Sequence, residues 1–325
     1  MGLTQGLFQT HLQSWESFLG KTNRPHRKEW PSRLFRHEPI ENAVDIIKSG
    51  QLLSRNGAVG SIKRDIAPGN ILASSAFAQD YVRLYFRPKT PTQYRIEGIR
   101  KPNQYYEGKH APVLIIFVFK SENLLLNANT MFSDGNMQAG QTVWGGDDAF
   151  FQSINFNHVF HEGAFDPSNP ANSGIIRERC AEVLMPSPLQ LDDALQAILC
   201  RSPAERATLL QLLGDDAAIW QNRIRVHSAT GLFNSEYVYL DSVSLSNEGV
   251  AFKFHPPVAY QTVNTVVEIT GIDNPLRLNL GPWELDPRKP WISKHPFQDG
   301  IYEVKFHLEG CLAYHSKQVI ESMPY

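Results

Sequence analysis

The sequence predicts an α+β chain in two parts, a mixed β core preceded by helices and then an all-β, sandwich-like domain. Three observations predict it. Apolar residues recur at helical spacing near the N-terminus, and strand-sized apolar runs alternate with polar loops through the middle. Beyond Gly214 only strand-sized segments separated by Asn, Gly and Pro remain. A length of 325 residues suits about two domains. The division falls at 1–214 and 215–325, with 1–32 as an N-terminal helix and basic connector.

Taken in order, Phe8, Leu12, Trp15 and Leu19 mark one face of a short helix over residues 7–19. A basic, proline-punctuated connector follows to Ser32. Ile40, Ala43, Val44, Ile46 and Ile47 predict a second helix, which Gly50 stops. Leu52-Leu53-Ser54 leaves it as an extended stretch. Residues 55–79 lack periodicity and read as one long loop, a length that is usually functional. Strands are expected at Tyr81–Phe86, Tyr94–Ile96, Val113–Phe119 and Cys180–Met185, a short helix at Asp147–Ser153, and helix again over 190–213. Past Gly214 the expected strands are Tyr237–Leu245, Val250–Phe254, Thr262–Ile269, Leu276–Leu280 and Ile301–Leu308.

A hydrophobic fraction of 42% excludes a disordered chain. The formal charge of −2 is an average over unlike parts. Residues 21–109 carry 17 Lys/Arg against 8 Asp/Glu, and the remainder 14 against 25. A near-neutral chain can therefore present a basic face to nucleic acid. Cys180, Cys200 and Cys311 form no CxxC pair, so neither a zinc site nor a disulfide framework is implied. That usage, with no signal-like or membrane-length apolar run, predicts a cytoplasmic protein without membrane attachment.

Glu182 is the foremost candidate for chemistry, because it sits in the apolar run Ala181-Glu182-Val183-Leu184-Met185. A carboxylate in such a strand is costly to desolvate unless paired. The alternative is a solvent-facing edge position, or a salt bridge from Arg177 or Arg179. His37 and Arg64 are weaker candidates by themselves. Arg64, in a glycine-flanked loop, suits either a solvated turn or a guanidinium clamp on phosphate. Gly145-Gly146-Asp147-Asp148 reads as a helix-capping turn rather than a metal site. GxGxxG, P-loop and HExxH motifs are absent. Basic and aromatic residues interleave in Tyr81–Lys89 and Arg95–Lys109, a pattern that suits single-stranded nucleic acid.

Four pieces, in order, carry a resemblance over roughly residues 33–200. They are Phe35-Arg36-His37 with Ile40-Glu41-Asn42 and the stretch 46–54; Gly60-Ser61-Ile62-Lys63-Arg64; the run Asp80–Pro91, similar to a "DYVPFYFNPRSP" signature; and Phe132-Ser133-Asp134-Gly135-Asn136 with Arg179–Pro186. Together they resemble the DarT family, NAD-dependent ADP-ribosyltransferase toxins that modify bases in single-stranded DNA. The resemblance implies an ADP-ribosyltransferase-like split, mixed β core around an NAD cleft, with NAD as co-substrate and no metal. It implies Glu182 and Arg64 as catalytic residues. His37, Asn42, Gly50, Leu52, Arg64, Tyr81 and Tyr85 would contact NAD. Arg83, Arg87, Lys89, Arg95, Arg177 and Arg179 would contact nucleic acid, and residues 166–178 would form a substrate-recognition loop. It also implies a partner antitoxin. Arg83, Leu84 and Arg87 depart from the signature's Pro, Phe and Asn, and the domain beyond Gly214 has no counterpart in the minimal toxin.

Other readings stand beside this one. The same chemistry could act on RNA; the chain could be a catalytically silent protein binding nucleic acid and a partner; or the acceptor could be a protein.

Overall fold

The computed structural model describes residues 2–22, 24–67, 76–137, 139–163, 165–166, 168–227 and 231–321. The part of the expected loop at 68–75, and position 167 of the expected recognition loop, lie outside them. Two compact units are built from interleaved stretches of chain. The first comprises Met1–His37, Asp45–Arg95 and Ile116–Ile198; the second comprises Glu38–Val44, Ile96–Ile115 and Leu199–Tyr325.

In the first unit, helix α1 (Gln5–Gly20) starts where the Thr4 hydroxyl accepts the Leu7 N–H, and it buries Phe8, His11 and Leu19. Seven strands of an eight-stranded sheet follow. They are β1 (Arg33–Pro39), β3 (Val82–Tyr85), β4 (Leu114–Lys120), β5 (Met131–Ser133), β6 (Trp144–Gly145), β7 (Glu182–Met185) and β9 (Leu195–Cys200), in the order β9-β4-β1-β3-β7-β5-β6. A small separate ladder pairs β2 (Gln51–Leu52) with β8 (Leu189–Gln190).

Register decides what each face of the sheet carries. Tyr85 lies opposite Glu182, Phe132 opposite Val183, and Ser133 opposite Trp144. Side chains alternate along a strand. Tyr85, Glu182, Ser133 and Trp144 therefore share one face, while Phe86, Val183 and Phe132 turn to the other. That second face is closed by aromatic packing: Phe151 meets Phe86 and Phe132 edge-on, and His11 of α1 packs on Phe151 and Phe156. One side of the sheet is thus sealed as core, opposite the side that carries Glu182.

The second unit is all-β over most of its length. After the short strand β10 (Ile224–Val226), β11 (Tyr239–Ser246), β12 (Gly249–His255) and β15 (Trp291–Lys294) form one sheet in that order. The other runs β14 (Arg277–Leu285), β13 (Val263–Gly271), β16 (Gly300–Leu308) and β17 (Cys311–Ile320). Alternating burial along β13 and β16 directs Val267, Ile269, Val304, Phe306 and Leu308 into a core shared with Val250, Phe252 and Phe254. This is the C-terminal all-β part read from the sequence, with β15 and β17 added.

Two local expectations are corrected. Tyr94–Ile96 is not a strand but the end of a helix, Pro91–Ile96, whose start is capped by the Thr90 hydroxyl accepting the Gln93 N–H at 3.1 Å. Residues 190–213 are not one helix. A turn of helix gives way to β9, and a second helix, Pro203–Leu213, starts at a Ser202 cap followed by Pro203. The expected Asp147–Ser153 helix is present, with Asp147 accepting the Phe150 N–H at 2.8 Å as its cap. Among the described residues no helix is long and apolar enough to cross a membrane.

His11 generates a prediction. Its imidazole is 6% exposed, and Nε2 has no hydrogen-bond partner among the described residues. Burial pushes its pKa down to about 3. Below the unfolded value of 6.5 the unfolded chain takes a proton that the folded one refuses, so stability falls as pH drops. Denaturant titrations at pH 7 and pH 5 should differ by about 2 kcal/mol more in the parent than in His11→Phe.

Candidate active site

Glu182 opens β7 directly after the helix Ser173–Glu178, which ends as the Cys180 N–H donates to the Arg177 carbonyl and the Ala181 N–H to the Glu178 carbonyl. Its side chain is 0% exposed. The Glu182 backbone N–H donates to Ser133 Oγ at 3.0 Å, and that hydroxyl donates to the Gly135 carbonyl at 2.7 Å. Gly135 allows this close turn, because a Cβ there would stand 2.7 Å from Arg177 Cγ.

The carboxylate is held by a fork. Arg83 Nε donates to Oε2 at 2.7 Å and Arg83 Nη2 to Oε1 at 2.5 Å. The pair is the outcome that the apolar setting of Glu182 required, but the partner is Arg83 rather than Arg177 or Arg179. Burial alone would lower the Arg83 pKa; the Glu182 carboxylate outweighs it and raises the pKa above its ordinary value.

The neighbouring rings are neutral by contrast. Tyr85 and His37 stack nearly parallel, with centroids 5.3 Å apart and planes 2° from each other. Burial, then the positive charges of Arg36 and Arg83, push the His37 pKa down to about 3. Burial, then the Glu182 charge, raise the Tyr85 phenol above its ordinary value. Near neutral pH the face therefore holds one ion pair flanked by an uncharged imidazole and an uncharged phenol. Farther along, Phe77 and Trp144 stack at 4.4 Å, with Tyr81 tilted against Phe77 at 4.9 Å. Phe77 and Trp144 are 37% and 46% exposed, so they offer ring faces to solvent.

Glu182, Tyr85 and His37 thus gather on one sheet face. The other residues expected at NAD have separate settings. Gly50 takes φ +69°, a left-handed turn that favours glycine, and its carbonyl accepts the Leu191 N–H. Leu52 is buried in the β2–β8 ladder, Asn42 donates to Glu38 at 3.3 Å, and Tyr81 packs by a small cluster around Leu184. Arg64 is half-buried in the turn-rich stretch 55–67.

The residues expected at nucleic acid differ in burial. Arg83 sits on Glu182, not on the surface. Arg87 is 1% exposed and donates to the carbonyls of Pro88, Val159 and His161, so it is a core residue. Arg177 is pinned by Asp134 and Glu178 at 2.7 and 2.9 Å, and Arg179 lies over the Phe165 ring. Arg27 and Arg100 are likewise buried. Part of the positive excess of residues 21–109 is therefore spent inside the fold. Arg95 is exposed and Lys89 half-buried. Sequence reasoning missed Ser133 as an anchor and the Phe77–Trp144 stack. Ser133 lay inside a quoted motif, whereas nothing in the sequence joined Phe77 to Trp144.

A fork of guanidinium and carboxylate can hold a developing positive charge or a ribose hydroxyl nearby. Among the described residues no group of three His, Cys, Asp or Glu converges to hold a metal.

Comparison with known proteins finds what the chain is similar to. The family model described as "ssDNA thymidine ADP-ribosyltransferase, DarT" matches residues 35–233. The solved structure of Thermus sp. 2.9 DarT with ADP-ribosylated ssDNA is similar at a TM-score of 0.50 and 18% identity, covering 62% of this chain and 96% of that one. The same protein with carba-NAD+ gives a TM-score of 0.48 and 18% identity, covering 62% and 98%. Direct sequence comparison with curated proteins finds no match.

The fork also governs stability. Arg83→Leu strands a fully buried carboxylate and should lower unfolding free energy by about 3–5 kcal/mol, whereas Arg83→Leu with Glu182→Leu should recover most of it. Chemical denaturation of the two variants and the parent measures this directly.

Proposed function

The chain belongs to the DarT family, and we propose that it transfers ADP-ribose from NAD to a thymidine of single-stranded DNA on the sheet face that carries Glu182. The observation that supports this most is Glu182 itself. It is a fully buried carboxylate with a fixed backbone and a two-point partner, inside the stretch matched by the family model.

In the reaction the bond from ribose C1′ to nicotinamide breaks and nicotinamide leaves with the electron pair. The base nitrogen's pair forms the new bond to C1′, and the nitrogen's proton passes to the Glu182 carboxylate as general base. Positive charge grows on the ribose between these events. Glu182 stabilises it electrostatically and accepts a hydrogen bond from the sugar, an interaction strengthened where water is scarce. Two of the four acceptor positions of a carboxylate remain after the Arg83 fork has taken one on each oxygen. The neutral His37–Tyr85 stack supplies a flat wall without a competing charge. Gly50, where a Cβ would meet nothing within 4 Å, is assigned to the path of the dinucleotide. Arg64 is assigned to the diphosphate, and Arg95 and Lys89 to the DNA phosphates. The target base must be presented unstacked, which is cheapest in a single strand. An aromatic pair such as Phe77–Trp144 suits a neighbouring base.

DNA is the acceptor named by the family description, and no observation favours RNA. We further infer a toxin controlled by an antitoxin, acting in the cytoplasm where NAD and replicating DNA meet.

The test is incorporation of labelled ADP-ribose from NAD. Single-stranded thymidine-containing DNA should be labelled, duplex DNA and RNA should not, and Glu182→Gln should lower the rate by at least about 100-fold. Equal labelling by Glu182→Gln, or labelling of RNA in preference to DNA, would contradict the assignment.

A further inference from the structure

A buried carboxylate can do directed chemistry only if its plane as well as its position is fixed. In this protein both are. Glu182 and Arg83 stand on the paired strands β7 and β3, where Tyr85 is opposite Glu182 and Arg83 is opposite Leu184. The guanidinium therefore reaches Glu182 diagonally, one register step along the same face. Its Nε and Nη2 meet different oxygens of the carboxylate. A single donor would allow the carboxylate to rotate about the contact, but two parallel donors from a rigid planar group do not. The Arg83 carbonyl accepts from Arg36 Nη1 at 3.1 Å, so the main chain beneath the fork is tied as well. Arg83 is only 16% exposed, and the two side chains form a closed pair rather than a solvated one. Arg83 is also a position at which this chain departs from the signature it resembles, so the fork is a property of this sequence.

We infer that Arg83 is a positioning residue for the transfer reaction: its two-point contact sets the orientation in which Glu182 meets the ribose of NAD. The inference rests on the proposed role of Glu182. The remaining acceptor positions of the carboxylate are those not occupied by the fork, so the fork selects which direction Glu182 presents to the sugar. Arg83 touches neither reacting atom in this assignment; it acts through Glu182.

The experiment measures steady-state ADP-ribosylation of single-stranded DNA, with NAD varied, for the parent, Arg83→Gln, Arg83→Lys, Glu182→Gln and the double variant Arg83→Gln with Glu182→Gln. A loss of alignment of about 1 Å costs about 100-fold in rate. Arg83→Gln should therefore lower kcat by about 10- to 100-fold while KM for NAD stays within about threefold. Arg83→Lys keeps the charge without the fork and should restore only part of the rate. Because the two residues act as one unit, the double variant should be no more than about twofold slower than Glu182→Gln alone. The inference is overturned if Arg83→Gln keeps kcat within threefold of the parent, if it is faster, or if the two losses multiply. Should Arg83→Gln fail to fold by circular dichroism, the Lys variant decides, since full activity without the fork also overturns the inference. An undiminished rate in Glu182→Gln would instead remove the catalytic reading of Glu182, a failure distinguishable from that of Arg83.

Discussion

A two-point ion pair joins Arg83 and Glu182 across strands that lie 99 residues apart in sequence. Neither partner is tolerable in that place alone. The carboxylate has no exposed surface, and an unpaired charge so placed would cost several kcal/mol. The pairing of β3 with β7 is therefore a condition for having a carboxylate at the middle of this sheet. The opposite face contributes as much, because the Phe86, Phe132, Phe151, Phe156 and His11 cluster fixes the strands without polar groups of its own apart from one neutral imidazole.

On the face that carries Glu182 the buried carboxylate is paired with Arg83, and two neutral rings stand beside the pair. His37 is held uncharged by burial and by two arginines, and Tyr85 is held protonated by burial and by Glu182. Under the proposed function, a positive centre developing on a ribose would meet the carboxylate positions that Arg83 leaves open, beside an uncharged imidazole and an uncharged phenol. Electrostatic preorganisation of this kind needs no reorganisation at the moment of reaction. Part of the basic excess of residues 21–109 is likewise internal. Arg27 and Arg87 flank the Trp30 ring and feed backbone carbonyls, roles that stabilise the fold and leave fewer cations for phosphate.

How much of this could be read from the sequence depended on whether the signal was local. Glu182 was legible because a lone carboxylate in an apolar run is anomalous within five residues. The C-terminal strands were legible from alternation, and Asp147 from its position before an apolar turn. Arg83 was not, because its partner lies across the sheet and 99 residues away in sequence. The burial of Arg87 is hidden from the sequence for the same reason: it is set by what packs over a strand end, not by the strand. The Tyr94–Ile96 helix shows a third kind of failure, in which a Thr-Pro start outweighed a short aromatic run.

The proposed function requires the face carrying Glu182 to receive the ribose of NAD. In a crystal structure of the protein with a non-hydrolysable NAD analogue, a ribose hydroxyl should lie within about 3.2 Å of a Glu182 oxygen, with the Arg83 fork still in place. An analogue bound with its ribose away from Glu182, or a Glu182 that remains wholly covered in the complex, would contradict it.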